Sequence, residues 1–413
     1  MSGSWKKGPK PLQWRMECFG HSLVEGLAGL LPGRCVFRLG EWLGGIVWHF
    51  MPLRRKIVLR NLRIAFAGEK ELPELRAMAH DSFRRSGANL ISAAHTARFT
   101  PDRLRDVIHI ENIGLLENAL SSGKGVVLLL AHMGNWEILS RLIHLFPKGS
   151  SAGAFYRPLN NPILDERVLS RRQADGTRMF SKRDPFHQVT GFLREGGIVG
   201  VLADQRVGMQ GEVVRFYGRL TRASPLPSLL ARRSKSTVLA LSVVTETAGK
   251  WKAVFTPVDG TATPECMVAL EKSMKTGPVD VFWLQDRWKV YLNARQSIHD
   301  WLGPDATGEG KPHRALLWLA DVAESWVLPE AWIHPDVVYE VATTAGRKLP
   351  SWLPASTRVH VVPAEADRAG LRKSIDQIDV SAALPLDFIL TSGQNHALYK
   401  AARSEAVPVI SLP

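Results

Sequence analysis

Short continuous apolar runs alternate along this chain with stretches whose apolar residues return every three or four positions. Runs of the first kind predict strands buried on both faces, and the second spacing predicts helices. The clearest run is GKGVVLLLA (123–131), followed by ILSRLIHLF (138–146), in which Ile138, Leu142 and Leu145 fall at helical spacing. Further strands are predicted over 107–112, 151–158, near 178–180, and over 198–205, 237–244 and 251–258. Helices are predicted over 71–96, 113–121, 161–173, 185–195, 226–234 and 264–294. The stretch VVRFYGRLTRAS (213–224) reads as a hairpin-like excursion. Strands and helices that alternate in this way mean an α/β fold, with a mixed, mostly parallel sheet flanked by helices.

The two ends of the chain break this rhythm. Two helices are predicted over 12–31 and 35–66, separated by the breaker Leu31-Pro32-Gly33. They carry the apolar segments LVEGLAGLL (23–31) and WLGGIVWHF (42–50). Neither reaches the roughly 18–20 uncharged residues a spanning helix needs. Glu25 interrupts the first, and Arg38, Glu41 and His49 punctuate the second. At the other end, GPDATGEGKP (303–312) reads as a linker. The runs at 315–320, 337–342, 359–363, 387–392 and 407–413 read as buried strands alternating with helices, a small α/β domain. The expected organisation is N-terminal amphipathic, membrane-anchoring helices (1–66), a main α/β domain (67–302), a linker (303–312) and an accessory α/β domain (313–413).

Charge sharpens the picture of the N-terminus. The chain of 413 residues carries a formal net charge of +14, with a pI near 9.9. Residues 1–63 hold eleven basic and three acidic side chains. Lys6, Lys7, Lys10 and Arg15 precede the apolar segments, and Arg54, Arg55, Lys56, Arg60 and Arg63 follow them. Basic residues flanking apolar, Trp-bearing stretches predict attachment to an anionic leaflet as a monotopic or single N-terminal anchor. Residues 312–413 are slightly acidic, with nine basic against eleven acidic side chains. No RNP motif or zinc knuckle appears, so nucleic acid is not the expected partner of the basic charge. Three scattered cysteines (18, 35 and 266) make neither a disulfide framework nor a metal-binding spacing.

The densest candidate chemistry is HMGNWE (132–137). His132 stands at the end of a predicted buried strand, Gly134 and Asn135 form the turn, and Asn135 is a candidate N-cap. Glu137 lies in the first turn of the next helix, where the helix N-terminus favours its negative charge. A His oriented by a carboxylate is suited to removing a proton from a hydroxyl. A strand-end His satisfied by backbone, beside a simple helix-start charge, is the alternative that spacing alone leaves open. The Gly-Lys-Gly turn, the apolar strand and AHMGNWE together resemble the acyltransferases of lipid A biosynthesis, within the lysophospholipid acyltransferase superfamily. The resemblance recurs in RRKIVLRNLRIAFAG (54–68), YRPLNNP (156–162), ADQ (203–205), VVRFYG (213–218) and FWLQDRWK (282–289).

That resemblance implies a glycerolphosphate-acyltransferase-like sheet with His132 as general base and Glu137 as its support. It implies an acyl carrier protein or acyl-CoA as donor and a glycolipid such as a lipid A precursor as acceptor. The place implied is the cytoplasmic face of a cell inner membrane. Arg157, in YRP, matches a substrate-binding Arg of the family. Asp204 and Gln205 close a strand whose C-terminal end faces the ligand crevice in α/β sheets. Asn135 and Arg172 complete the expected substrate contacts, with Arg171 and Arg206 as weaker candidates. Arg215, Phe216 and Gly218 are expected at the rim of an acyl pocket, and Trp283 and Trp288 in packing. Gln285 stands where the family often has a His. G-x-S-x-G and HExxH are absent, so neither a covalent acyl-enzyme, a metal nor another cofactor is expected. Acylation of a phosphatidylinositol mannoside from acyl-CoA is the enzymatic alternative, and a non-catalytic membrane scaffold the other. The tail resembles one half of a heptosyltransferase-type glycosyltransferase without its phosphate-binding glycine turn, and it is expected to be dispensable for acyl transfer.

Overall fold

The computed structural model describes residues 10–181, 183–290, 296–303, 310–393 and 395–412. Residues 1–9 of the expected N-terminal anchor, Lys6 and Lys7 among them, fall outside the described residues. So do linker positions 304–309 and the expected helix end at 291–294.

Helices α1 (Pro11–Leu30), α2 (Gly33–Phe50), α3 (Pro52–Ala65), α4 (Leu72–Thr96) and α5 (Pro101–Arg105) come first. Strand β1 (Ile108–Glu111), α6 (Gly114–Ser121) and β2 (Val126–Leu130) follow, then a 3₁₀ helix over Trp136–Leu145. Next come β3 (Ala152–Tyr156), α7 (Pro162–Gln173), β4 (Arg178–Ser181), α8 (Phe186–Arg194) and β5 (Ile198–Leu202). The hairpin β6 (Glu212–Phe216) and β7 (Arg219–Ala223) precedes α9 (Leu226–Ser234), β8 (Thr237–Thr247), β9 (Lys250–Pro257) and α10 (Thr263–Lys275). The chain finishes with α11 (Ile298–Leu302), β10 (His313–Trp318), β11 (Val337–Thr344), β12 (Val359–Val362), α12 (Arg368–Val380), β13 (Phe388–Ser392), α13 (His396–Ser404) and β14 (Val409–Leu412).

Most expected elements are present, and the departures have local causes. The helix expected over 35–66 breaks at Met51, because Pro52 lacks the amide that a continuing helix would need and instead starts α3. The helix expected over 264–294 stops at Lys275, ahead of Gly277-Pro278. FWLQDRWK therefore runs as irregular chain. The segment after HMGNWE is 3₁₀ rather than α. Ser140 Oγ donates to Glu137 O (3.3 Å), and Thr177 Oγ1 donates to Ser140 O (2.6 Å), so side chains occupy carbonyls an α-helix would use. In the C-terminal sheet, helices join β12 to β13 and β13 to β14, while a 3₁₀ turn (Glu330–Trp332) and irregular chain make the earlier connections.

The chain divides into two compact units that interleave in sequence. The first takes the described residues of 1–46, 83–203 and 226–282. It holds a seven-stranded sheet in the order β1-β9-β8-β2-β5-β3-β4, parallel throughout except for the β8–β9 pair. Val126, Leu128 and Leu130 of β2 join a core with Ile138, Leu142, Leu241 and Phe255, while Val127 and Leu129 are equally buried on the other face. The strand is thus covered on both sides, as its unbroken apolar run requires. Helices α2 and α4 cross closely through glycines. A Cβ on Gly44 would lie 2.3 Å from Phe83 O, and one on Gly87 2.4 Å from Gly40 O.

The second unit takes the described residues of 47–82, 204–225 and 283–413. It contains the β6–β7 hairpin and an all-parallel five-stranded sheet in the order β12-β11-β10-β13-β14. Ala315 and Leu317 of β10 face one core and Leu316 and Trp318 the other. Residues 47–65 of the expected N-terminal anchor therefore share a compact unit with the tail. A buried ionic cluster ties them. Asp387 and Arg219, both fully buried, pair at 2.8 Å, and Arg60 of α3 reaches Asp387 at 3.3 Å and His313 at 3.2 Å from the same carboxylate adds to it. Arg63 pairs with Asp379 and donates to the carbonyls of Ala382 and Leu384. Burial alone would raise Asp387, yet Arg219, His313 and Arg60 hold its carboxyl far below the usual range. Burial brings Arg219 down to about 10 against the pull of Asp387. Removing residues 312–413 would take away the Asp379 and Asp387 carboxylates that Arg60, Arg63 and Arg219 pair with.

Asp387→Asn should destabilise this unit by about 3–5 kcal/mol, the cost of breaking a buried pair from one side. Denaturant unfolding followed by tryptophan fluorescence measures it, and a change below about 1 kcal/mol would contradict the cluster's role.

Candidate active site

The sheet of the first unit places the end of β2 between β5 and β8, both parallel to it. HMGNWE begins two residues past that end, on the side where parallel sheets bind ligands. The loop is stitched by backbone bonds to residues 280–282. Gly134 N donates to Asp280 O at 2.9 Å, Phe282 N donates to His132 O at 2.8 Å, and Met133 bridges Val281. Gly134 has φ +56°, and a Cβ there would lie 2.2 Å from Val243 O. Only glycine meets both conditions.

His132 is half-buried, with its ring edge-on to Trp136 at 5.6 Å. Asn135 stands at the N-cap position of the 3₁₀ helix but makes no capping bond there. Its Nδ2 instead donates to Thr96 Oγ1 at 3.0 Å, a correction to the expected cap. Glu137 is gripped by the Arg172 fork: Nη2 lies 2.8 Å from each carboxylate oxygen and Nε 3.2 Å from Oε2. Such bidentate pairs fix a carboxylate in plane and direction. Arg172, expected to bind substrate, thus orients Glu137.

Beside Glu137 opens a cavity of about 450 Å³. Its walls come from α1, α4, the 3₁₀ helix and α7, and they are mostly apolar, with Val24, Leu90, Ala94, Ala97, Ile138 and Val168 among them. Its size falls in the ~300–1,000 Å³ range of small-molecule sites. Glu25, read from sequence as an interruption of an apolar segment, is a buried carboxylate on this wall. It pairs with Arg171, with Arg167 (3.3 Å), with Arg98 (3.8 Å) and with His21 (3.2 Å). Burial, with Arg171 and Arg167 nearby, keeps the His21 imidazole below its ordinary range.

Arg157 is exposed, one residue past β3. Asp204 and Gln205 follow β5 and belong to the second unit. Asp204 is buried and ion-paired with Arg287 at 2.7 Å, while Gln205 is exposed. Arg215, Phe216 and Gly218, expected at the rim of an acyl pocket, belong to the second unit. Arg215 pairs with Asp336 at 3.0 Å, and Phe216 stacks on Trp288 at 5.7 Å. Gly218 turns the β6–β7 hairpin with φ +76°. Trp283 and Trp288 are buried in packing, as expected, and Asn61 Nδ2 donates to the carbonyls of Trp283 (2.8 Å) and Gln285 (2.6 Å). Burial lowers the Arg206 guanidinium, with Asp286 opposing. Sequence reasoning missed Asp280, Thr96 and the Glu25 cluster, since lone polar residues inside helices and irregular chain carry no periodic signal. Among the described residues no group of three or more His, Cys, Asp or Glu side chains is placed to hold a metal ion.

Residues 16–290 match the family described as bacterial lipid A biosynthesis acyltransferase. The chain is similar to the lipid A biosynthesis palmitoleoyltransferase of Escherichia coli, 25% identical over 280 residues that cover 65% of this chain and 90% of that protein. The lauroyltransferase of the same organism is 26% identical over 275 residues, 63% of this chain and 87% of the relative. A phosphatidylinositol mannoside acyltransferase of Mycobacterium tuberculosis is 25% identical over 188 residues, 43% of this chain and 59% of the relative.

Gly134→Ala should force the loop off its backbone ladder, because both the positive φ and the approach of Val243 O oppose a methyl group. Strain of about 1–3 kcal/mol is expected, read as a lowered melting temperature with far-UV circular dichroism retained. An unchanged melting temperature would contradict this account of the loop.

Proposed function

The chain belongs to the bacterial lipid A biosynthesis acyltransferase family, and from that premise we propose that it moves a fatty acyl group from an acyl thioester to a hydroxyl of a glycolipid, with His132 as general base. The observation that carries this reading is the placing of the HMGNWE loop: it leaves the end of a buried parallel strand, and its Glu137 lines a largely apolar cavity. His132 takes the proton of the acceptor hydroxyl as that oxygen attacks the thioester carbonyl. The tetrahedral intermediate collapses, the C–S bond breaks, and the proton passes from the imidazolium to the departing thiolate. The products are an ester and a free thiol, with no acyl-enzyme between. Glu137, held by Arg172, stabilises the imidazolium. The cavity holds the acyl chain.

Arg157, exposed beyond β3, binds a phosphate or carbonyl of a substrate. Asn135 holds the loop through Thr96, and Gln205 contacts the acceptor from a loop whose shape Asp204 secures through Arg287. The acceptor is a lipid A precursor or a related glycolipid, since relatives named for lipid A and for phosphatidylinositol mannoside both match. The donor is an acyl carrier protein, with acyl-CoA as the alternative that the second group of relatives brings in. All these molecules are anionic, which suits a chain of net charge +14.

The reaction takes place at a membrane surface, on the cytoplasmic face of the inner membrane. Among the described residues no helix is long and apolar enough to cross a membrane. On α1, however, Leu12, Met16, Phe19, Leu23, Leu27 and Leu30 form an exposed apolar stripe, and Leu39 and Trp42 of α2 are exposed as well. Water does not favour such a stripe, whereas the headgroup–acyl boundary of a leaflet does. Lys10 and Arg15 beside it supply attraction to anionic lipid.

His132→Ala and Glu137→Ala should each lower turnover by about 10²–10⁴-fold while leaving membrane attachment intact. Purified protein assayed with acyl-carrier-protein and acyl-CoA donors tests this, and near-wild-type turnover of His132→Ala would end the base assignment. Vesicles containing phosphatidylglycerol should bind the protein better than phosphatidylcholine vesicles, and salt should weaken the preference. Equal failure to bind both in a flotation assay would contradict surface attachment.

A further inference from the structure

We propose that Asp280 is a positioning residue for His132, an inference that rests on the reading of His132 as base. Asp280 acts on the loop twice. Its main chain and that of the next two residues hold His132, Met133 and Gly134 through the two backbone bonds and the bridge already described. Its side chain, buried inside the first unit, fixes that segment to the frame of the sheet. Asn89 Nδ2 of α4 donates to Oδ1 at 3.0 Å and Thr245 Oγ1 of β8 at 2.6 Å, while Thr245 N donates to Oδ2 at 2.9 Å. Arg85 stands 3.6 Å away. The carboxylate therefore links α4, β8 and the loop, and the direction in which His132 leaves its strand depends on it.

The network specifies a carboxylate. Asn89 cannot reverse its amide, because its Oδ1 accepts from Trp251 Nε1 at 2.8 Å. The groups at Asp280 thus donate to both of its oxygens, and a carboxylate has two acceptor oxygens where an amide has one. An asparagine at 280 would turn its own NH₂ either towards the Asn89 NH₂ or towards the Thr245 amide. Two donors then face each other, and the buried segment shifts to relieve them. A displacement of about 1 Å in a reacting group costs roughly 10²-fold in rate. Exchanging the two residue types, Asn89→Asp with Asp280→Asn, restores complementarity. The new acid then accepts from Trp251 and from the new amide, whose oxygen still accepts from Thr245 N.

The test compares wild type, Asp280→Asn, Thr245→Val, the double exchange and His132→Ala in the full chain. It measures kcat, KM, the pH dependence of kcat/KM and the melting temperature. The expected result for Asp280→Asn is a fall in kcat of about 10²-fold, with KM within about twofold, a moved acidic limb of the pH profile, and partial recovery in the double exchange. Thr245→Val, which removes one donor and keeps its backbone bond, should lose about tenfold, the order of one hydrogen bond to a charged group. It decides the matter if Asp280→Asn does not fold. Folded Asp280→Asn with wild-type kcat and pH profile overturns the proposal while an inactive His132→Ala leaves the base assignment standing. A fully active His132→Ala overturns the base assignment itself, and the proposal with it.

Discussion

A short antiparallel stitch, His132 O to Phe282 N and Gly134 N to Asp280 O, governs the rest of the first unit's chemistry. A buried parallel strand ends abruptly, and the loop that leaves it has no strand partner of its own. The irregular chain after α10 supplies that partner. Because the stitch uses main-chain groups, it fixes where side chains leave the loop without dictating what they are. Beside it, Val243 O leaves Gly134 no room for a side chain, and Asn89 and Thr245 donate to both oxygens of the Asp280 carboxylate. The 3₁₀ geometry that follows turns Glu137 towards Arg172 of α7, so the acid is oriented by a second element independent of the stitch.

Much of the first unit was legible in the sequence because its central strands, β2 and β5 among them, are buried on both faces. GVVLLLA and IVGVLADQ carry no polar residue that would allow another reading until the strand ends, and those ends are where His132 and Asp204 stand. The helix termini were less legible. Pro52 and Gly277-Pro278 cut predicted helices short by local backbone chemistry that periodicity overlooks. The N-cap reading of Asn135 failed because Thr96, distant in sequence, offers it a buried partner. Arg172, read from sequence as a substrate contact, is brought by α7 to Glu137. Glu25 looked like a charge spoiling an apolar helix, yet three arginines and His21 surround it.

The second unit taught a different lesson. The aromatics of VVRFYG pack on Trp283 and Trp288, whose packing was expected, and Asn61 of α3 binds the carbonyls of Trp283 and Gln285. Composition separated the tail at a Gly- and Pro-rich linker, whereas buried charges do not respect composition. Asp387 in β13's approach neutralises Arg219 and Arg60, residues far apart in sequence. An ionic core of this kind is a poor source of stability compared with apolar packing, but it is costly to break from one side. It makes the tail part of the folded unit that contains α3.

Glycolipid acyl transfer is the central claim, and lipid mass spectrometry tests it most directly. Membrane glycolipids from cells that express the wild-type chain should contain a species heavier by one fatty acyl group, absent from cells that lack the chain and from cells carrying only His132→Ala. Its mass gives the chain length, and fragmentation gives the acceptor hydroxyl. Identical glycolipid profiles in all three, with the protein present and folded, would contradict the account.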